Sequence, residues 1–191
     1  VVNNDRDNIE TDLIRYLKLP EELEVHLGLF VVNDKGLIIA GSRRYKEDQS
    51  EEERWRVTYN RGEGKVYASD IYTDSLTGKR AMDIGIPIRD LSTGTVVGAI
   101  MTIVNVDEFF KFIADMSFAK TGHGMIINSG GRSLICPVLP PDKHDINQSL
   151  IELVTGKGGG WSLVEEDLHG GKNSVVGFSQ LRYLNSLGDD S

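Results

Sequence analysis

Residues 65–107 read KVYASDIYTDSLTGKRAMDIGIPIRDLSTGTVVGAIMTIVNVD, and this stretch decides the fold. Three β-prone apolar runs, Val66–Tyr72, Ala81–Ile88 and Thr95–Val106, are separated by two short breaks that end in Thr77-Gly78 and Thr93-Gly94. Runs of that length punctuated by Asp, Ser, Thr and Gly predict an antiparallel meander. Pro87 has no N–H to give to a ladder, so it belongs at a strand end or an edge. Asp107 stands where it would cap an amphipathic helix over residues 107–120. A curved sheet with a helix across one face is a cup for a small molecule.

Working outward, residues 8–19 place Ile9, Leu13, Ile14, Tyr16 and Leu17 on roughly one face of a helix that Pro20 would stop. Residues 27–33 and 37–40 form a hairpin about the turn Asp34-Lys35-Gly36. Residues 43–53 are charged and read as a solvated loop, and residues 51–59 as a short helix carrying Trp55. After the meander the order returns. A second hairpin over residues 125–136, a helix over 146–155 and strands at 161–165 and 174–182 follow. The expectation is an α+β chain of two related modules with antiparallel sheets. Residues 1–24 would be the end of a long N-terminal helix, 25–117 a larger module and 118–191 a shorter one.

The chain has 191 residues, 39% hydrophobic and 26% charged, a composition that folds. Its net charge of −8, from 21 Lys and Arg against 29 Asp and Glu, excludes a nucleic-acid partner, which needs clustered cations. No apolar run reaches the roughly 18 residues that span a bilayer, and the polar opening VVNNDRDNIETDL is no signal peptide. The ends read as those of a piece excised from a longer protein. Cys136 is the single cysteine. His26, His123, His144 and His169 have no metal-ligand spacing along the chain, and no metal or cofactor is expected. No phosphate loop, Gly-x-Ser-x-Gly motif or nucleophile–base pair is present, so the domain is not expected to be an enzyme.

The phrases VVNDKGLIIAG, YASDIYTDSLTGKRAMDIGIPIRD, GTVVGAIMTIVNVDEF, AKTGHGMIINSGGRSLICP and NSVVGFSQL, in this order, resemble the double Cache family from about Leu27 to Leu181. These are the PAS-like extracytoplasmic sensor domains of microbial histidine kinases, chemoreceptors and cyclases. The resemblance implies a ligand-sensing domain joined to a membrane by flanking segments, a small polar ligand in the membrane-distal module, and weak homodimers. A sensor histidine kinase is the first expectation for the whole protein and a chemoreceptor the alternative; a soluble enzyme or a structural spacer is the competing class. By position, Trp55, Tyr72 and Asp74 match pocket positions of the family, and Arg54 stands near its carboxylate-clamping arginine. Amino-acid-binding members carry Arg-x-Trp-Tyr where this chain has Arg54-Trp55-Arg56-Val57, and an acid where it has Ala99–Thr102. Both departures weigh against a free amino acid as ligand.

Each candidate has a plainer role as well. Trp55 is suited to packing a helix on a sheet, and Asp74 to forming a turn. Tyr67 and Tyr72, an odd number of residues apart, would face opposite sides of a regular strand, so that only one enters the cup. Asp83 interrupts an apolar strand, where an unpaired acid is costly to bury. It shares a face with Ala81 and Gly85, whose small size leaves room beside the carboxylate. Asp83 is expected either to grasp a cationic or hydrogen-bond-donating ligand, or to pair with Arg54, Arg56 or Arg80. Thr102 is a milder candidate of the same kind.

Overall fold

The computed structural model describes residues 2–17, 25–128, 130–140, 143–144, 146–166, 169 and 172–180. The helix stop at Pro20, the strand residues after Gln180 and most of the link before residue 172 lie outside the described residues. The chain divides into two compact units, the first running to Phe109 and the second from Phe110 to Arg182.

In the first unit, helix α1 (Val2–Leu17) packs against the hairpin of β1 (His26–Asn33) and β2 (Ile38–Gly41). The Asn33 side chain accepts from the N–H groups of Lys35 and Leu37, and Gly36 takes φ +82°, so the sequence Asn-Asp-Lys-Gly writes its own turn. Helix α2 (Glu53–Tyr59) follows, ended by Asn60 in the left-handed conformation at φ 45°. The meander then runs β3 (Tyr67–Ala68), β4 (Tyr72–Thr73), β5 (Arg80–Arg89) and β6 (Val96–Asn105). Strand order is β2-β1-β6-β5-β3, with β4 also on β5, and every pairing is antiparallel.

The two meander loops share one device. Asp74 accepts from the Thr77 N–H and hydroxyl, and Asp90 accepts from those of Thr93. Gly78 and Gly94 close the loops at φ +69° and +70°. Asp-x-x-Thr-Gly is thus a turn sequence used twice. Pro87 pairs with Ala99 of β6 on one side, and its other edge lies past the end of β3, where a missing N–H costs nothing.

Alternation along the central strands assigns one face to a core. Phe30 and Val32 of β1 stand opposite Met101 and Ala99 of β6, all four buried, with Ile38, Tyr45 and Trp55 packed on them. Helix α2 lies on this face. It approaches closely because β5 offers Gly85 beneath it: a Cβ there would collide with the Thr58 hydroxyl and the Met101 sulfur. The other face is more open, with Ile86 and Val97 45% and 48% exposed.

The helix expected over 107–120 is two shorter pieces. Helix α3 (Val106–Phe109) closes the first unit, and α4 (Lys111–Ala114) opens the second. Asn105, rather than Asp107, caps α3 by accepting from the Asp107 N–H, while the Asp107 carboxylate pairs with Arg80 at 2.8 Å.

The second unit holds separate two-stranded sheets. These are β7 (Ser117–Phe118) with β8 (Gly122–His123), β9 (Ile126–Ile127) with β10 (Ser133–Ile135), and β11 (Gly159–Glu166) with β12 (Lys172–Ser179). Helix α5 (Gln148–Gly156) begins at Asn147, whose side chain accepts from the Ser149 N–H. The hairpin of β9 and β10 matches that of β1 and β2 in its turn: Asn128 accepts from Gly130 and Arg132 as Asn33 does from Lys35 and Leu37.

Candidate functional site

On the core face of the first unit, where α2 crosses β5, Glu52, Glu53, Arg54, Tyr67, Tyr72 and Asp83 line a cavity of about 340 Å³. Helical spacing explains the upper wall. Arg54 points down from α2 onto the sheet, and Trp55 beside it leans toward β1, donating its indole N–H to the Asn33 carbonyl at 3.2 Å. Trp55 also stacks on Tyr59 one turn later, with ring centroids 5.0 Å apart. It therefore locks α2 to the hairpin and is absent from the cavity lining.

The cavity floor is Asp83. Its two oxygens take different partners, Arg54 Nη1 at 3.1 Å and the Tyr72 hydroxyl at 2.7 Å. Its backbone is fastened as well, since Asp83 N–H donates to the Ser69 hydroxyl and Ser69 N–H donates to the Asp83 carbonyl. The guanidinium of Arg54 is itself held three ways, by Asp83, by the side-chain oxygen of the fully buried Gln49 at 3.1 Å, and by the face of Phe30 at 5.1 Å. Burial pushes the Tyr72 phenol well above its ordinary pKa, and the adjacent Asp83 carboxylate adds to the rise. Tyr72 therefore remains a neutral donor. Both oxygens of Asp83 are thus engaged by side-chain donors, Arg54 on one and Tyr72 on the other.

Of the alternatives for Asp83, the structure displays the ion pair, with Arg54. The free space expected over Gly85 is filled by Thr58, so the opening lies toward Tyr67 and Tyr72 instead. Both tyrosines line the cavity, against the strand-parity expectation. The reason is local: β3 and β4 are separate two-residue strands, and residues 69–71 between them belong to neither, so the alternation is interrupted. The parity rule holds only along an unbroken strand.

Asp74 and Thr102 stand apart from this group. Asp74 is 4% exposed and receives Arg43 through both terminal nitrogens, at 2.9 and 3.3 Å, as well as Thr77. Arg43, chiefly through that hydrogen bond, holds the Asp74 carboxyl below its ordinary pKa. Thr102 faces the opposite side of the sheet from Asp83, because its neighbour Ile103 is the residue paired with Asp83. There it meets His26 Nδ1 at 2.8 Å and donates to the Gly28 carbonyl.

The stretch at 43–53 is more than a solvated loop. Arg43 pairs with Asp74, Tyr45 lies against Phe30 at 4.3 Å, and Gln49 is fully buried. A second cavity of about 440 Å³ opens between α1 and β2, lined in part by Arg6, Glu10, Arg43 and Glu47. Its guanidinium at Arg43 is committed to Asp74, and Arg6 and Glu10 pair with each other. The Arg54–Asp83 cavity joins α2 to three strands of the sheet.

Comparison with solved structures identifies the architecture. The chain superposes on the sensory domain of the chemoreceptor Tlp3 of Campylobacter jejuni with a TM-score of 0.58 and 12% identity, covering 84% of this chain and 65% of that one. The fold is the one seen in this chemoreceptor sensory domain. The ligand-binding domain of the same receptor in complex with 4-methylisoleucine gives 0.56 at 12% identity, over 84% of this chain and 63% of that one. The extracellular domain of the putative histidine kinase rpHK1S-Z16 gives 0.51 at 15% identity, over 88% and 78%. The chain thus spans less than two thirds of the length of both Tlp3 structures. No family model and no curated protein matches the sequence.

Proposed function

We propose that this chain is the extracytoplasmic ligand-sensing domain of a transmembrane signalling receptor, and that the Arg54–Asp83 cavity receives a small polar ligand bearing an amine or another hydrogen-bond donor. The observation that carries the reading is the make-up of that cavity. Glu52, Glu53 and Asp83 face one guanidinium, and Glu52 is balanced from outside by Lys46 at 2.9 Å. The remaining excess is negative, and two tyrosine faces stand ready for a cation. The fold supports the sensor role, since chemoreceptors and histidine kinases both use it. For the whole protein a histidine kinase is the first reading and a chemoreceptor the second. The module itself performs no chemistry.

In this reading the domain joins the membrane through flanking segments and pairs weakly with a second copy along α1 through Ile9, Leu13 and Leu17, of which Ile9 is exposed and Leu13 and Leu17 are half-buried. Ligand shifts the balance between two packings by binding one of them better. The test is a thermal-shift screen of the 191-residue chain against small primary and quaternary amines, with carboxylates as controls. Saturable stabilisation by an amine, weakened by Glu53→Gln, supports the proposal. Stabilisation by carboxylates alone, unaffected by Glu53→Gln and Asp83→Asn, would overturn it.

A further inference from the structure

The second unit brings together residues that lie far apart along the chain. Cys136, directly after β10, stands between His123 of β8 and His169 of the β11–β12 link. Its Sγ lies 3.6 Å from His123 Nε2 and 3.3 Å from His169 Nε2, and one ligand atom from each residue falls within 4.8 Å of the others. The linear spacings of 13 and 33 residues match no zinc signature, which is why the sequence offers no hint of the cluster. Three separate chain segments assemble it instead.

We infer that His123, Cys136 and His169 form a binding site for a zinc-class divalent ion. The distances fit: with Zn–S about 2.3 Å and Zn–N about 2.0–2.1 Å, tetrahedral sulfur and nitrogen ligands lie about 3.5 Å apart. Tautomers fit as well. His123 Nδ1 faces the Thr121 carbonyl, which can only accept, so Nδ1 carries the proton and Nε2 presents its lone pair toward Cys136. The Val138 N–H donates to the same sulfur at 3.4 Å, which fixes the side chain's direction. One thiolate with imidazole nitrogens is a donor set that suits zinc.

A fourth group stands beside the cluster. The His144 ring packs edge-on against His169 with centroids 5.3 Å apart. His144 Nδ1 donates to the Pro140 carbonyl at 3.0 Å, leaving a buried Nε2 lone pair with no hydrogen-bond partner among the described residues. A buried acceptor without a partner is costly, and an ion in the cluster is what such a nitrogen can serve.

The surrounding architecture gives the ion a task. Among the described residues of this unit, the buried apolar side chains are Ile126 and Ile135, paired across the β9–β10 sheet, and Leu150 of helix α5. A core that small calls for a staple, and an ion bound by residues of β8, the end of β10 and the β11–β12 link supplies one. The site lies in the second unit and does not rest on the ligand cavity of the first.

The experiment uses the 191-residue chain without a histidine tag, stripped with chelator and then given zinc or cobalt(II). Expected are stoichiometric uptake of one ion at micromolar protein, a rise in melting temperature, and a thiolate-to-cobalt charge-transfer band in the near ultraviolet. Cys136→Ser should abolish the band, and His169→Gln should weaken zinc by more than about 100-fold, since changes outside the ligand set already cost about 10–100-fold. Circular dichroism of each variant checks that the chain is folded. A folded wild-type chain that takes up no cobalt, or a band that survives Cys136→Ser, would overturn the inference.

Discussion

Replacing Asp83 by Asn separates the structural duty of this carboxylate from its ligand duty. The substitution keeps the volume and leaves an oxygen to accept from Tyr72, so what is lost is the negative charge opposite Arg54. The two side chains are 13% and 20% exposed, which places the pair between a surface bridge and a buried one. Breaking a fully buried pair costs about 3–5 kcal/mol, and surface pairs are worth about 0–1. Gln49 and Phe30 continue to hold Arg54 after the change, which moves the expectation to about 2 kcal/mol. For a chain of 191 residues that is a fall in melting temperature of roughly 4–8 °C. The assay is urea denaturation of Asp83→Asn, Arg54→Met and the double variant. Residues in direct contact couple by about 0.5–3 kcal/mol, so the cycle should return about 1 kcal/mol or more. A single-variant loss below about 0.5 kcal/mol with no coupling would refute the reasoning. It would show that the pair is solvated and that residue 83 is held in place by Tyr72 and by the contacts to Ser69.

Other expectations concern the scaffold. Gly85→Ala pushes a methyl against Thr58 and Met101 and should cost about 1–3 kcal/mol as α2 lifts, read by chemical denaturation. Asp74 has its folded pKa lowered, chiefly by Arg43, so its contribution is present above the unfolded value of about 3.9 and is lost as pH falls through the folded one. Asp74→Asn should therefore lower stability near neutrality and flatten the acid limb below about pH 4, measured by melting at stepped pH. Asp90, held by Ser92 and Thr93, should titrate at about 2 by carboxyl carbon NMR, and Ser92→Ala should move it back toward 3.8.

What was legible in the sequence is what local chemistry writes. The hairpin turn at Asn33–Gly36 and the two Asp-x-x-Thr-Gly loops carry their own hydrogen bonds, so the meander and its antiparallel order could be read directly. The acid within β5 stood out because a charge in an apolar strand demands a partner. Its choice of Arg54 among three arginines depended on how α2 sits; Arg54 is held there by Gln49 of the preceding loop and by Phe30 of β1, which is remote in sequence. Period-two reasoning failed at Tyr67 and Tyr72, since the three residues 69–71 between their strands belong to neither. The helix expected to reach Lys120 ends at Ala114, before the strand at Ser117–Phe118. Arg43 looked like solvated charge because its partner, Asp74, lies 31 positions away.

The interruption between β3 and β4 also sets what it takes to open the cavity. These two strands are the outer rim of the sheet and are paired to β5 at Tyr67, Ala68, Tyr72 and Thr73, with Ser69 adding its bonds to Asp83, whereas β5 and β6 are joined along most of their length. A molecule arriving at the tyrosines can prise that rim aside while the inner ladder stays closed, because few backbone bonds have to break. In the proposed reading, the least paired part of the wall is therefore the part that meets the ligand. Binding then acts on a short outer rim and leaves the long inner ladder unbent.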